Sequence, residues 1–185
     1  MIERVVFLPM PPLIDPAIAN GAATELDELR TVIDDALSEA VAATNTVAVL
    51  GTDEAVEVAN YLLSRVAPRT TALPMDLGAE PNDATVLLVM GDGTAKRTEK
   101  APGYIDDRAE AFDRRVSEIF KSAQLAELAM LDQELAEELW VAGVIPWKSV
   151  GGWVEEFGSS WKLRQLHFED PYGVAYFVAD FEREH

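Results

Sequence analysis

The sequence predicts an α/β protein, a three-layer α/β/α sandwich around a mostly parallel mixed sheet with a C-terminal antiparallel hairpin. Over residues 5–90, short apolar runs rich in β-branched residues alternate with amphipathic helical segments, an order typical of parallel sheets covered by helices. Near the C-terminus, Trp161–Phe168 and Val174–Phe181 are strand-like and are separated by turn residues. The length of 185 residues suits one domain over 1–185.

Three of the predicted strands lie in the first half of the chain. They are Val5–Leu8, Thr46–Leu50 and Thr85–Met90, and the third is the most apolar. Each is a short apolar run next to turn residues, as expected for strands buried on both faces. We therefore place these three strands in the parallel part of the sheet.

The helices of the first half are predicted from capping residues and apolar spacing. Thr24 is expected to cap the first helix, with Asp27 in the capping-box position, and Thr52 to cap a second helix that ends near Val66. We expect the stretch Pro68–Asp83 to be an irregular connection. The buried face of the first helix is formed by apolar residues at helical spacing: Leu26, Leu29, Ile33, Leu37 and Ala40.

The second half is predicted to begin with helices. Asp132 is expected to cap one helix, which Gly143 ends, and Pro146 fits the first turn of another that ends at Gly158. The aromatic residues of this last helix, at helical spacing, are expected to pack in the core. An earlier helix has an apolar face at the same spacing: Phe112, Val116, Ile119 and Phe120.

Composition excludes several classes of function. The net charge is −18, from 33 acidic and 15 basic residues, which argues against nucleic acid or an anionic membrane as the partner. The chain contains no cysteine, so disulfides, zinc thiolate sites and thiol nucleophiles are excluded. Met1–Leu8 lacks the features of a secretory signal, and no apolar stretch has the length of a membrane helix. We expect a cytoplasmic protein.

Three loops follow predicted strands and are expected to converge at one edge of the sheet. They are Pro9–Ile14, Gly51–Glu54 and Gly91–Arg97, and ligands of open α/β sheets bind where such loops leave the strands. The candidate ligand-binding residues in these loops are Met10, Asp53, Asp92, Thr94, Lys96 and Arg97.

The segment Gly91-Asp92-Gly93 allows two interpretations. It could hold an anion on its backbone amides, although it lacks the spacing of a phosphate-binding loop. The interpretation that we favour is structural: the glycines supply positive φ in a tight turn, and Asp92 accepts hydrogen bonds from nearby amides. A pairing of Asp92 with Asp53 or Glu169 would allow acid–base chemistry.

Histidine chemistry has little support in this sequence. The two histidines are His167, on a predicted strand, and His185, at the C-terminus. A metal site would need partners that only carboxylates could supply, and no nucleophile elbow accompanies either histidine. We expect His167 to be structural or solvent-exposed and predict neither a metal site nor a cofactor.

Three segments, in order, carry a resemblance to a known family. They are Phe7–Ile14, then Met90–Ala95 followed by Ala101–Tyr104 and Phe112–Asp113, and finally Pro171–Val178. Together they resemble the class III extradiol dioxygenase superfamily, with the LigB-like fold, and in particular a compact branch of uncharacterised bacterial proteins. The resemblance spans most of the chain and implies one LigB-like α/β domain.

The resemblance also identifies what this chain lacks. Active members bind Fe(II) through two histidines and a carboxylate, and a further histidine acts as acid–base. The first-loop pattern resembles Pro-His-Pro-Pro-Leu, in which Met10 takes the position of histidine, and the later pattern resembles Gly-Asp-x-Ser-His, in which Thr94 and Ala95 replace Ser-His. Around Gly51–Asp53 there is no histidine either. Ring cleavage is therefore not expected.

Two principal hypotheses and a third follow. The first is a degenerate, non-metal module, in effect a pseudoenzyme, that binds a small ligand or a protein. The second is an enzyme with metal-independent, carboxylate-based chemistry that uses Asp92, Asp53 and Thr94, and it requires these side chains to converge in one pocket. The third is a structural subunit that pairs with a partner chain, and self-association into a homodimer is also consistent with the sequence.

Overall fold

The computed structural model describes residues 1–11, 14–15, 24–52, 54–76 and 84–185. Within these ranges, the 3-10 turns Thr24–Leu26 and Leu125–Met130 accompany the regular elements. The strands are β1 (Arg4–Leu8), β2 (Thr46–Leu50), β3 (Thr71–Pro74), β4 (Val86–Met90), β5 (Trp161–Glu169) and β6 (Tyr176–Arg183). The helices are α1 (Asp27–Ala40), α2 (Ala55–Val66), α3 (Ala109–Ser122), α4 (Gln133–Glu138) and α5 (Val144–Phe157).

The strands form one mixed sheet of six strands in the order β3-β2-β4-β1-β6-β5. The pairs β3–β2, β2–β4 and β4–β1 are parallel, and β1–β6 and β6–β5 are antiparallel. Leu8 of β1 lies beside Met90 of β4, so the segments that follow these two strands start next to each other. The predicted fold class, including the C-terminal hairpin, is confirmed.

Helices cover both faces of the sheet because the central strands are apolar on both sides. In β1, Val5 and Phe7 pack with α3 and α5, whereas Val6 and Leu8 pack with α1 and α2. On the α3 side, Phe120 lies at the centre of an aromatic cluster, with its ring centroid 4.7 Å from that of Phe7. Burial of each large apolar side chain contributes about 1.5–3 kcal/mol, so these two cores stabilise the three-layer arrangement.

Several local predictions are confirmed. The apolar face predicted for α1 is buried at every position. Asp132 caps α4, since its carboxylate accepts a hydrogen bond from the backbone N–H of Leu135 at 3.0 Å. Pro146 lies in the first turn of α5, and Gly158 ends that helix in the left-handed conformation, at φ 58°.

Other local predictions are wrong. The stretch predicted as an irregular connection contains β3, an edge strand that pairs with β2. Neither Thr24 nor Thr52 caps a helix with its side chain: Thr24 begins a 3-10 turn, and the Thr52 hydroxyl bonds to the Glu54 carboxylate at 3.0 Å. Gly143 precedes α5 with φ −81° instead of ending α4.

None of the helices in the described ranges is both long enough and apolar enough to cross a membrane.

Candidate functional site

The segments after β1, β2 and β4 meet at the carboxyl edge of the parallel strands. Gly91 donates its backbone N–H to the Leu8 carbonyl at 2.9 Å. After β2, Gly51 packs so closely on Met90 that a Cβ at Gly51 would lie 3.0 Å from the Met90 Cβ. The described parts of the three loops therefore lie together as predicted, whereas Asp53 and residues 12–13 fall outside the described residues.

Asp92 is the polar residue at the centre of this edge. Its Oδ1 accepts a hydrogen bond from the backbone N–H of Met10 at 2.7 Å, which joins the first loop to the third. Burial raises the pKa of Asp92 to about 6, and the hydrogen bond from Met10 opposes this only in part. Asp92 thus changes its charge close to neutral pH.

Tyr176, the first residue of β6, is near enough to Asp92 for the charge of that carboxylate to act on it. The third loop runs along β6 because Gly93 donates to the Ala175 carbonyl at 2.7 Å and Ala175 donates to the Thr94 carbonyl at 2.8 Å. Tyr176 is only 4% exposed. Burial, followed by the negative charge of Asp92, raises its pKa, and its hydroxyl forms no hydrogen bond within the described part of the chain.

Glu169 pairs with Tyr176 across the β5–β6 hairpin and adds a second carboxylate. Its Oε2 lies 3.1 Å from Nε2 of His167, so His167 has a structural partner and is partly buried. Its Oε1 is buried and has no hydrogen-bond partner among the described residues. We call Met10, Asp92, Glu169 and Tyr176 the edge site.

Thr94 does not belong to the edge site. It is fully buried, and its hydroxyl donates to Oδ2 of Asp113 on α3 at 2.5 Å, while its backbone N–H donates to Oδ1 at 3.1 Å. Burial raises the pKa of Asp113, although hydrogen bonds from Thr94 and the charge of Arg97 oppose the rise. Thr94 therefore fixes the third loop to α3.

The two basic candidates also point away from the edge site. Arg97 donates to Oδ2 of Asp113 at 3.2 Å and to Oδ2 of Asp170 at 2.5 Å. The Lys96 ammonium lies 5.3 Å from the centre of the exposed Trp140 ring, a cation–π contact. Of the predicted ligand-binding residues that the structure describes, only Met10 and Asp92 lie together in the edge site.

Gly91 and Gly93 have a different role from the one predicted. In the described ranges the glycines with positive φ are Gly158 and Gly173, so neither glycine of this loop needs the left-handed conformation. Instead they allow close packing, because a Cβ at Gly91 would lie 2.4 Å from the Gly143 Cα and one at Gly93 2.7 Å from the Ala175 Cβ. The prediction of positive φ is wrong, whereas Asp92 does accept a backbone amide as expected.

Two cavities lie outside the edge site. A groove of about 510 Å³ has an apolar floor that includes Phe112, Leu131 and Leu135, with Arg108 and Arg115 at its rim. Both arginines are already ion-paired, Arg108 to Asp106 and Glu138 and Arg115 to Glu127. A smaller cavity of about 210 Å³ lies against Asp113 and Arg97. Asp107 and Asp132, which also line the groove, form no ion pair within the described residues, and both are solvent-exposed.

The residues at the edge of the sheet do not fit the ferrous centre that the family resemblance implies. Met10 offers a thioether, and Ala95, which is buried, offers only a methyl group, where imidazoles would be needed. In the residues that the structure describes, no three side chains of His, Cys, Asp or Glu are grouped so that they could hold a metal ion. These residues therefore do not form a ligand set for ferrous iron.

Comparison with known proteins identifies no family. No protein-family model matches this sequence, and no curated protein matches it significantly.

Replacement of Asp92 with asparagine is expected to stabilise the protein at pH 8 and to have little effect near pH 4. The folded-state pKa of about 6 lies above the ordinary 3.8, so folding favours the protonated carboxyl and this contribution is lost as the pH rises through 6. A shift of that size corresponds to about 3 kcal/mol. Because Asp92 is only half-buried, we expect Asp92→Asn to raise the free energy of unfolding at pH 8 by about 2 kcal/mol.

Urea denaturation of both proteins between pH 4 and pH 8 checks this expectation. The same substitution at the exposed Asp35 of α1 is the control, and it should change the free energy of unfolding by less than about 0.5 kcal/mol at every pH. An Asp92→Asn variant that is less stable than the parent at pH 8 would show that the folded protein compensates the charge of the Asp92 carboxylate.

Proposed function

We propose that this chain binds a small molecule at the edge site and is a LigB-like protein that does not cleave aromatic rings. The observation that carries the proposal is the pair Asp92 and Tyr176. The Tyr176 hydroxyl has no partner, and the Asp92 carboxyl has one, the Met10 N–H, within the described part of the chain. Neither the second Asp92 oxygen nor the Tyr176 hydroxyl is a fully buried unpaired atom, so both are open to a ligand that would complete their hydrogen bonding.

The position of these groups supports the same proposal. They lie where the strands β1 and β4 end, and this edge is where open α/β sheets bind ligands. A carboxyl group with a raised pKa at such an edge costs stability, and perturbed groups of this kind concentrate at functional sites. A cytoplasmic location and self-association into a homodimer stay predictions of the sequence.

The second candidate function is an enzyme that uses Asp92 as a general acid or base. It is favoured by one observation: a pKa of about 6 is close to the optimum for proton transfer at neutral pH. Thr94 cannot join Asp92 in this role while its hydroxyl is bound to Asp113. If Asp92 is catalytic, turnover should depend on pH around 6, and Asp92→Asn should abolish turnover but preserve binding.

A fragment screen with ligand-observed NMR tests binding at the edge site. We expect some fragments to bind the parent protein and to bind Asp92→Asn and Tyr176→Phe at least 10-fold more weakly, because each variant alters a group that would contact the ligand. Tyr104→Phe is the matched control, since Tyr104 is 60% exposed and does not belong to the edge site.

Two outcomes of the screen would contradict the proposal. One is that no fragment binds at all. The other is that bound fragments are insensitive to Asp92→Asn and Tyr176→Phe, which would place the ligand elsewhere, for example in the groove beside Phe112.

A further inference from the structure

The groove of about 510 Å³ lies between α3 and residues 127–135, which lead into α4. Its floor is apolar on both sides: Ala111 and Phe112 belong to α3, and Leu131 and Leu135 lie opposite. The charged residues that line the groove are largely exposed and therefore stand at its rim. The groove thus combines an apolar floor with a charged border.

Met130 presents a large apolar side chain at the mouth of this groove. It lines the groove and is 81% exposed. The backbone on both sides of it is fixed, because the Lys148 ammonium donates to the carbonyls of Ala129 and Leu131, at 2.7 Å in each case. Gly151 packs so closely here that a Cβ would lie 2.3 Å from the Ala129 N. A firmly held backbone therefore keeps an adaptable thioether side chain in contact with water.

The uncompensated charge at the rim is negative. Both rim arginines are neutralised by the carboxylates with which they pair. Asp107 and Asp132 are exposed and form no ion pair within the described residues, and the Asp132 carboxylate accepts a bond from a neutral donor, the Leu135 N–H. A partner with positive charge beside an apolar surface would complement this groove.

We propose that this groove, together with Met130, binds a basic amphipathic helix of a partner protein. An apolar centre surrounded by a polar rim is the usual layout of a protein–protein interface. Amphipathic helices lay their apolar face into such grooves through side chains at i, i+3, i+4 and i+7. Basic side chains that flank this face would lie near Asp107 and Asp132. The surface is separate from the edge site, so the inference goes beyond the proposed function.

The layout favours a partner protein over a small molecule and over a second copy of this chain. Small-molecule sites contain a few polar groups directed at the ligand, whereas the floor of this groove is formed by apolar side chains. A second copy carries the same net charge of −18, and a two-fold dimer through the groove would bring Asp107 and Asp132 of both copies together. A basic helix has the opposite charge.

Fluorescence anisotropy with a labelled synthetic peptide tests the proposal. The probe is a peptide of about 18 residues, long enough to form a helix, with leucine at the i, i+3, i+4 and i+7 spacing and lysine elsewhere. One matched peptide has glutamate in place of every lysine, and another has the same composition as the probe in a scrambled order without an apolar face. We expect the leucine–lysine peptide to bind at least 10-fold more tightly than either matched peptide.

Variants of the groove should weaken binding of the leucine–lysine peptide. Met130→Ser removes apolar contact at the mouth, and Ala111→Gln places a longer side chain on the floor, so each should weaken binding about 10-fold. Both positions are exposed, so both variants should fold. Asp107→Asn combined with Asp132→Asn should weaken binding several-fold, and asparagine at 132 can still cap α4.

Matched variants elsewhere on the surface are the controls. Leu73→Ser removes an exposed apolar side chain of β3, and Glu28→Gln combined with Asp35→Asn removes two exposed acidic groups of α1. Each control should leave the peptide affinity within twofold. Asp92→Asn should also leave it within twofold, so this inference and the proposed function can fail independently.

Several outcomes would overturn the proposal. Failure of the leucine–lysine peptide to bind would do so directly. Equal binding of its scrambled form, or equal weakening by the α1 double variant and the Asp107 and Asp132 double variant, would show non-specific attraction to the net charge. A dimer of the parent chain in light scattering that Met130→Ser dissociates would favour a second copy. Fragments that bind in the groove when the peptide does not would favour a small molecule.

Discussion

Replacement of Asp113 with alanine is expected to reduce the free energy of unfolding by about 4 kcal/mol, the typical cost of removing one partner from a buried ion pair. Asp113 is 1% exposed and accepts hydrogen bonds from the Thr94 N–H, the Thr94 hydroxyl and the Arg97 guanidinium. Without the carboxylate, Thr94 keeps two buried donors that have no acceptor. Urea denaturation at pH 7 measures the loss.

Three further variants test whether the hydrogen bonds between Asp113, Thr94 and Arg97 account for this loss of stability. Asp113→Asn keeps the shape and one acceptor, so it should reduce the free energy of unfolding by about 2 kcal/mol. Thr94→Val removes one hydrogen bond and should reduce it by about 1–2 kcal/mol. Asp170→Asn removes the more exposed partner of Arg97 and should cost at most about 1 kcal/mol. A loss below about 1 kcal/mol in Asp113→Ala would mean that Thr94 and Arg97 find other acceptors.

The sequence indicates that Asp113 has a buried partner, but the apolar periodicity does not identify that partner. Asp113 occupies the buried face of α3 together with Phe112, Val116 and Phe120, positions at which an acidic side chain is rare. An acid at helical core spacing indicates a buried partner, but the sequence does not say that Thr94 and Arg97 supply it. That pairing depends on how α3 packs against the third loop.

The fold was largely predictable because the strong patterns are also the buried ones. Strands β1, β2 and β4 are almost fully buried, so apolar runs mark them clearly. Strand β3 escaped prediction because it lies at the edge of the sheet, exposes most of its residues and includes Pro74. Its pairing with β2 is a tertiary contact that no local pattern encodes.

The edge site was predictable in its position and only partly in its members. Strand ends locate Met10 and Asp92, because both follow buried parallel strands. Tyr176 and the orientation of Glu169 depend on the register of the β5–β6 hairpin, and that register includes a shift between Leu163 and Gln165 that turn chemistry does not predict. The position of Thr94 outside the edge site was not predictable for the same reason, since its partner Asp113 lies on another element.

Replacement of a glycine in the third loop is also expected to have a large effect on stability. Gly91→Ala should reduce the free energy of unfolding by about 3 kcal/mol, because the new Cβ would lie 2.4 Å from the Cα and 2.9 Å from the N of Gly143. Both contacts are with backbone, which cannot move aside as a flexible side chain can. Relief of the clash requires a shift of the third loop or of the start of α5. These two segments are joined by a hydrogen bond from the Gly143 N–H to the Asp92 carbonyl at 2.8 Å.

Gly152→Ala separates this steric effect from the general effect of replacing glycine. Gly152 lies within α5, and a Cβ there meets nothing within 4 Å, so alanine should stabilise the protein by about 1 kcal/mol through its higher helix propensity. Opposite signs in the two variants would show that close packing, and not backbone freedom, requires Gly91. If Gly91→Ala is as stable as the parent, the third loop can shift from Gly143 at no cost, and Asp92 is then held mainly by its bond from Met10.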